Sequence, residues 1–234
     1  MTFFNVSEPL IRCQQEHLDV QDRSGLLQLN WQIGNITLFS GFYTRIDQTF
    51  LLWGLVTAGI FFTAQFVPLS WSFQAILWST LTIVGTAGMA VLTLFWVKVE
   101  RVSWILYCWA MLMMVGLVLT DCSIFLGWGG LLLHLCDLWL GLSAIGYFCT
   151  GLGLRSRTFI SIGLAHIFAI GLLPFVAPWQ YFTTGIVVAG SLLLLSQLQW
   201  DMRPPIDNTL LSEEQKEFNR IQHQLRQISA TVSK

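Results

Sequence analysis

Four ionisable side chains fall inside the long apolar stretches of this sequence: Asp121, His134, Asp137 and His166. An acid or an imidazole in hydrocarbon is costly, so such groups mark ion paths, ligand sites or polar clasps by default. His134 and Asp137 are three residues apart and share a face if the segment is helical. Asp121 lies on the preceding stretch, and the turn Gly127-Trp128-Gly129-Gly130 returns the chain to similar depth. An Asp121–His134 or Asp137–His134 ion pair near one membrane face is therefore sterically allowed. Such a pair is either a clasp that fixes helix packing or a proton- or cation-responsive site. His166 lies roughly 10 Å deeper than His134, at 1.5 Å per residue, so one haem plane cannot take both as ligands. A single histidine can still hold a haem or a chlorophyll. A lone membrane histidine more often bonds a neighbouring helix, and no cofactor is expected.

The other reactive residue types lead to packing. Of the five Cys, Cys108 and Cys149 belong to one layer of the apolar region, and Cys122 and Cys136 to another. The layers are about 20 Å apart, which excludes a four-Cys metal site. The second pair is within reach of a disulfide in an oxidising compartment, but all four read as small apolar side chains. Gly141 and Ala144 continue the face of His134 and Asp137 at steps of four and three, and Gly185 and Ala189 lie on the last stretch. Small residues so spaced are candidates for close helix approach.

Gly141-Leu142-Ser143-Ala144 resembles a degraded GxSG motif of rhomboid proteases, and Ala165-His166 their partner histidine. That family places Ser and His two spans apart, whereas here they fall on consecutive stretches and the fourth position is Ala. The resemblance does not extend to a catalytic set. With no P-loop, HExxH or Gly-rich nucleotide motif, no enzyme is expected.

The elements that must position these residues follow from composition. Of the 234 residues, 54% are apolar and 11% charged, against about a quarter charged in ordinary soluble domains. Disorder, nucleic-acid binding and a disulfide-stapled secreted domain are excluded. A bilayer core takes about 20 apolar residues as a helix. Six stretches approach or meet that length: 50–67, 75–97, 103–125, 131–154, 159–174 and 181–200. All 12 Lys and Arg lie before the first, between the second and third, between the fourth and fifth, or after the sixth. Six crossings therefore put every base on one side, which the positive-inside rule makes cytoplasmic, with both termini there. Trp53, Trp96, Trp104 and Trp200 then mark an inner aromatic belt, and Trp71, Trp128 and Trp179 an outer one.

Residues 1–49 and 201–234 remain as cytoplasmic ends around the membrane domain, 50–200. Residues 27–33 alternate apolar and polar, and Gly34-Asn35 separates them from a second apolar run. This predicts a short β-hairpin over 26–39 before the first span. In the tail, Ser212 and Gln215 form a capping-box pattern, and Phe218, Ile221, Leu225 and Ile228 recur at helical spacing. An amphipathic helix over 212–228 is expected, its stripe docking on the hairpin or on a partner.

The expected fold is thus an all-α six-helix membrane bundle in a bacterial plasma or thylakoid membrane. The expected role is an accessory or scaffold protein, bound to a membrane-protein partner or to its own copies. The alternative is a small proton- or cation-coupled transporter built on Asp121, His134 and Asp137.

Overall fold

The computed structural model of the chain describes residues 3–4, 9–13, 17–33, 36–204, 206 and 208–232. The chain is mostly helical. Five helical stretches are long and apolar enough to cross a membrane, consistent with a multi-pass membrane protein. The first three are α2 (Arg45–Phe66), α3 (Trp71–Val99) and α4 (Ser103–Phe125). After a short helix, α5 (Gly129–Leu132), comes α6 (Leu135–Leu154). The fifth stretch, Arg157–Gln197, has 41 residues. It comprises α7 (Arg157–Leu172), a 3-10 segment (Leu173–Trp179) and α8 (Gln180–Gln197). The backbone leaves helical geometry at Val176, between Pro174 and Pro178. A proline cannot donate the helical hydrogen bond, so the stretch bends there. It folds back far enough for Asp201, beyond α8, to bond the first residues of α7.

Local chemistry sets the other boundaries. Thr44 and Asp47 cap α2 reciprocally, and Ser70 accepts from Phe73 N–H at the start of α3. The expected fourth stretch begins late: His134 stands at the N-cap of α6, and the chain breaks between Leu132 and Leu135. Gly127 takes a positive φ of 68° in the turn, whereas Gly129 and Gly130 are helical in α5, and the break falls after them at Leu133 and His134. The last stretch ends early, and Leu198–Trp200 is a strand.

Two small antiparallel sheets flank the helices. β1 (Ile11–Cys13) pairs with β4 (Leu198–Trp200), Ile11 opposite Trp200, which the sequence pattern did not announce. β2 (Leu27–Ile33) pairs with β3 (Ile36–Tyr43), from Leu27 opposite Tyr43 to Ile33 opposite Ile36, with an irregularity between Trp31 and Gln32. The Gly34-Asn35 turn expected between them lies outside the described residues. A short helix, α1 (Val20–Arg23), precedes β2, and α9 (Glu213–Val232) closes the chain. Ser212 Oγ accepts from Gln215 N–H while the Gln215 side chain accepts from Ser212 N–H, which starts α9 where the capping pattern placed it.

The apolar helices pack as a ring. α2 lies against α8 and α3, α3 against α4, α4 against α6, and α6 against α8, with α7 packed on both α6 and α8. Gly146 lets α6 approach α4, since a Cβ there would stand 2.5 Å from the Trp109 ring. Gly185 does the same for α8 against α2, 2.8 Å from Phe61. Gly141 would meet nothing within 4 Å, so the close contact of α6 falls at Gly146. Ala144 and Ala189 are buried.

Candidate functional site

The ring lines an apolar chamber that is partly open to the outside. Each helix contributes one face. Trp53, Thr57 and Phe61 come from α2, Trp78, Thr82, Met89, Thr93 and Trp96 from α3, and Trp109, Met113 and Thr120 from α4. Trp139, Ser143, Tyr147 and Thr150 come from α6, and Val188 and Leu192 from α8. Phe159 and Trp200 close one end. From Trp78 to Val97 the wall runs along α3 for about 28 Å at 1.5 Å per residue, close to the hydrocarbon thickness of a bilayer. Among the described residues, no Asp, Glu, Lys, Arg or His lines it.

This arrangement changes the place of the tryptophans. Trp53 and Trp96, expected in an inner belt, are 8% and 7% exposed and turn into the chamber, as does Trp200. Trp71, Trp104, Trp128 and Trp179 are exposed, as belt residues are.

Most polar atoms of the wall are satisfied within the protein. Thr49, Thr57, Thr93 and Thr150 each donate to a carbonyl one turn back, at 2.7 to 2.9 Å. Trp109 Nε1 donates to Thr150 (3.0 Å), Trp139 to Thr120 (3.2 Å), Trp78 to Thr63 (3.4 Å) and Trp96 to Asp22 (2.9 Å). Trp53 Nε1 and the Tyr147 hydroxyl are buried with no hydrogen-bond partner among the described residues. A buried polar group left unpaired costs about 1–3 kcal/mol.

A polar cluster sits where the basic loops gather. Glu100, 2% exposed, accepts from Gln21 Nε2 at 3.0 Å and lies 3.9 Å from the Arg203 guanidinium, which also donates to the Glu100 carbonyl. Gln21 accepts from Asn219 of α9, and Asn219 accepts from Val20 N–H. Arg226 pairs with Asp19 at 3.0 Å and donates to the His17 carbonyl. Burial pushes the Asp22 carboxyl up to about 7; neighbouring Asp19 adds to this and the Trp96 hydrogen bond opposes it. Glu100 is raised by burial too, against the pull of Arg203 and Gln21. A second cavity, with roughly 850 Å³ of empty space, is lined by Arg12, Asp19, Asp22, Asp47, Glu100, Arg203, His223 and Arg226. It shares Ile46, Trp96 and Trp200 with the apolar chamber.

Asp201 anchors a neighbouring cluster. Its Oδ1 accepts from Ser156 Oγ (2.9 Å), Thr158 N–H (3.0 Å) and Thr158 Oγ1 (2.7 Å). Its Oδ2 accepts from the Arg157 N–H and Nε, both at 3.0 Å. Burial pushes this carboxyl up, but the bonds from Thr158 and Arg157 outweigh it and hold it below its ordinary value.

The acids and histidines singled out in the sequence are divided. Asp121 accepts from Ser79 Oγ, at 3.0 Å to each oxygen. His134 Nδ1 is 2.6 Å from Asp137 Oδ2, with 70% of the His134 side chain exposed. His166 is fully buried; its Nδ1 donates to the Ile162 carbonyl (2.9 Å) and its ring packs on Tyr147. None of the four lines either cavity. Cys108, Cys122, Cys136 and Cys149 are free thiols, and among the described residues no cluster could hold a metal ion. In α9, Phe218 lies under the Arg23 guanidinium at 4.7 Å, while Ile221, Leu225 and Ile228 are exposed. The face of α9 that docks on α1 is polar, through Asn219 and Arg226.

Fold and site together describe a polytopic helical protein with membrane-length helices around an apolar chamber. No family model, curated protein or solved structure matches the chain.

Proposed function

We propose that this chain is an accessory membrane protein that holds an elongated apolar molecule inside its helix bundle. It crosses the membrane six times, with both termini cytoplasmic, in a bacterial plasma or thylakoid membrane. The length of Arg157–Gln197 supports six crossings: 41 residues is about twice what one span needs, and the stretch bends back at Val176. The placement of all 12 bases supports the orientation. β2 and β3 read as one hairpin on the cytoplasmic face. The exposed Ile221, Leu225 and Ile228 of α9 are the surface by which the protein attaches to a larger membrane assembly.

The observation that carries the proposal is the chamber. Ligand sites are concave, mostly apolar and furnished with a few placed polar groups, as this chamber is. Trp53, Trp78, Trp96, Trp109, Trp139 and Trp200 all line that one space. Asp121, His134 and Asp137 lie outside that wall, which leaves the transport alternative without a charged group on the chamber.

The test is solvent extraction and mass spectrometry of the full chain purified in mild detergent. A neutral lipid retained near one per chain, and lost from Ser143→Phe while the melting temperature holds, supports the proposal. Only bulk phospholipid, equal in both proteins, overturns it.

A further inference from the structure

We propose that the chamber takes a neutral isoprenoid quinone, whose carbonyl oxygens accept hydrogen bonds from Trp53 Nε1 and the Tyr147 hydroxyl. This rests on the chamber being a binding site and assigns the chemistry of its occupant.

Two unpaired donors mark the place. Trp78, Trp96, Trp109 and Trp139 each find an acceptor within the protein, and Trp53 does not. An indole N–H can only donate, so what completes it must carry an acceptor. Tyr147 is 1% exposed and Trp53 8%, so neither is completed by bulk solvent. Both are on the chamber wall. Trp53 follows the start of α2 at Arg45 by about 12 Å, and Tyr147 precedes the end of α6 at Leu154 by about 10 Å. Both measures run from the ends that carry the basic residues.

The surroundings narrow the acceptor. With no charged side chain on the described wall, a carboxylate or phosphate would be buried without a counter-ion, at high cost. A neutral carbonyl fits. Around Tyr147 the wall is aromatic: Trp109 and Phe159 lie against its ring, and Phe50 and Trp200 lie against Phe159. Trp109 meets Tyr147 edge-on, at 5.5 Å between ring centres. Flat rings offer faces to a flat head group. Beyond it the chamber continues past Thr82 and Met89 to Trp78 and Phe61, an apolar run suited to a polyprenyl tail. A quinone joins a planar ring, carbonyl acceptors and such a tail in one neutral molecule.

The experiment uses the full chain in lipid nanodiscs, titrated with decylubiquinone and followed by quenching of tryptophan fluorescence. Decylbenzene, of the same tail length and without carbonyls, is the comparison, displaced by a brominated alkane quencher. Tyr147→Phe and Trp53→Phe should each weaken decylubiquinone about five- to tenfold, the worth of one hydrogen bond in a dry site, and leave decylbenzene unchanged. Melting curves of both variants exclude unfolding as the cause. If both probes bind and neither variant separates them, the carbonyl assignment is overturned while the chamber reading stands. If neither probe binds the wild-type chain, both are overturned.

Discussion

Replacing Asp201 by Asn is expected to loosen the whole helical domain, although Asp201 lies outside every membrane-length helix. Its carboxylate is 1% exposed and caps α7 from the far end of the stretch that α7 begins. In Asp201→Asn, Oδ1 keeps its three donors from Ser156 and Thr158, but an amide NH2 replaces Oδ2. That NH2 faces two donors, the Arg157 N–H and Nε, each 3.0 Å from the present oxygen. The side chain of Arg157 is 25% exposed and can partly turn away, whereas its backbone N–H cannot. One orphaned N–H plus the lost charge on a buried ion pair costs about 3 kcal/mol. On a chain of this size that is a fall of about 6–12 °C in Tm. Thermal unfolding in mild detergent at pH 7, followed by tryptophan fluorescence, measures it. Asp121→Asn is the control: the carboxylate accepts from the Ser79 hydroxyl, a bond that an amide oxygen can still accept, so the change should shift Tm by about 2 °C or less. Because Asp201 is held below its ordinary value of 3.8, its stabilisation is full above that pH and is lost as pH falls through the lower folded value. The wild-type advantage over Asp201→Asn should therefore shrink below about pH 4. Equal Tm for wild type and Asp201→Asn at pH 7 would refute the capping role.

Three further outcomes follow from named contacts. Asp22 is raised from 3.8 to about 7, so the folded chain binds that proton more tightly and stability falls as pH rises across this window, then levels off; Trp96 fluorescence should report the change with a midpoint near 7 and lose it in Asp22→Asn. Arg226→Ala removes the ion pair to Asp19 and the bond to His17, so hydrogen exchange over residues 17–23 and along α9 should quicken while the apolar helices stay protected. Gly146→Leu drives a side chain into the Trp109 ring and should cost about 1–3 kcal/mol or more, whereas Gly141→Leu, facing open space, should leave Tm within a few degrees.

What was legible in the sequence was the part written in local periods. Apolar runs of membrane length, the Ser212–Gln215 cap and the His134–Asp137 spacing each depend on residues a few positions apart. What was hidden depends on distant partners. Asp201 reads as a loop acid, and only the hydroxyls of Ser156 and Thr158 beside Arg157, a helix start with no acid of its own, hinted that an acceptor must come from elsewhere. The strand pair of Ile11–Cys13 with Leu198–Trp200 joins the two ends of the chain and leaves no periodic signature in three residues. The tryptophans misled for a related reason. Position along a helix gives depth but not direction, so Trp53, Trp96 and Trp200 looked like lipid-facing belt residues although they face inward. In α9 the docked face is largely polar and Ile221, Leu225 and Ile228 of the apolar stripe are open, with Phe218 alone of the stripe covered by Arg23, because α1 and its N-cap offer backbone groups and carboxylates to bond.

The central claim is that the ring of helices surrounds a molecule and not a void. Electron cryomicroscopy of the full chain in native-lipid nanodiscs tests it most directly. The predicted result is elongated density that is not protein, running from beside Trp53 and Tyr147 towards Trp78. Helices closed together so that the wall tryptophans touch, or a chamber holding only ordered water, would contradict it.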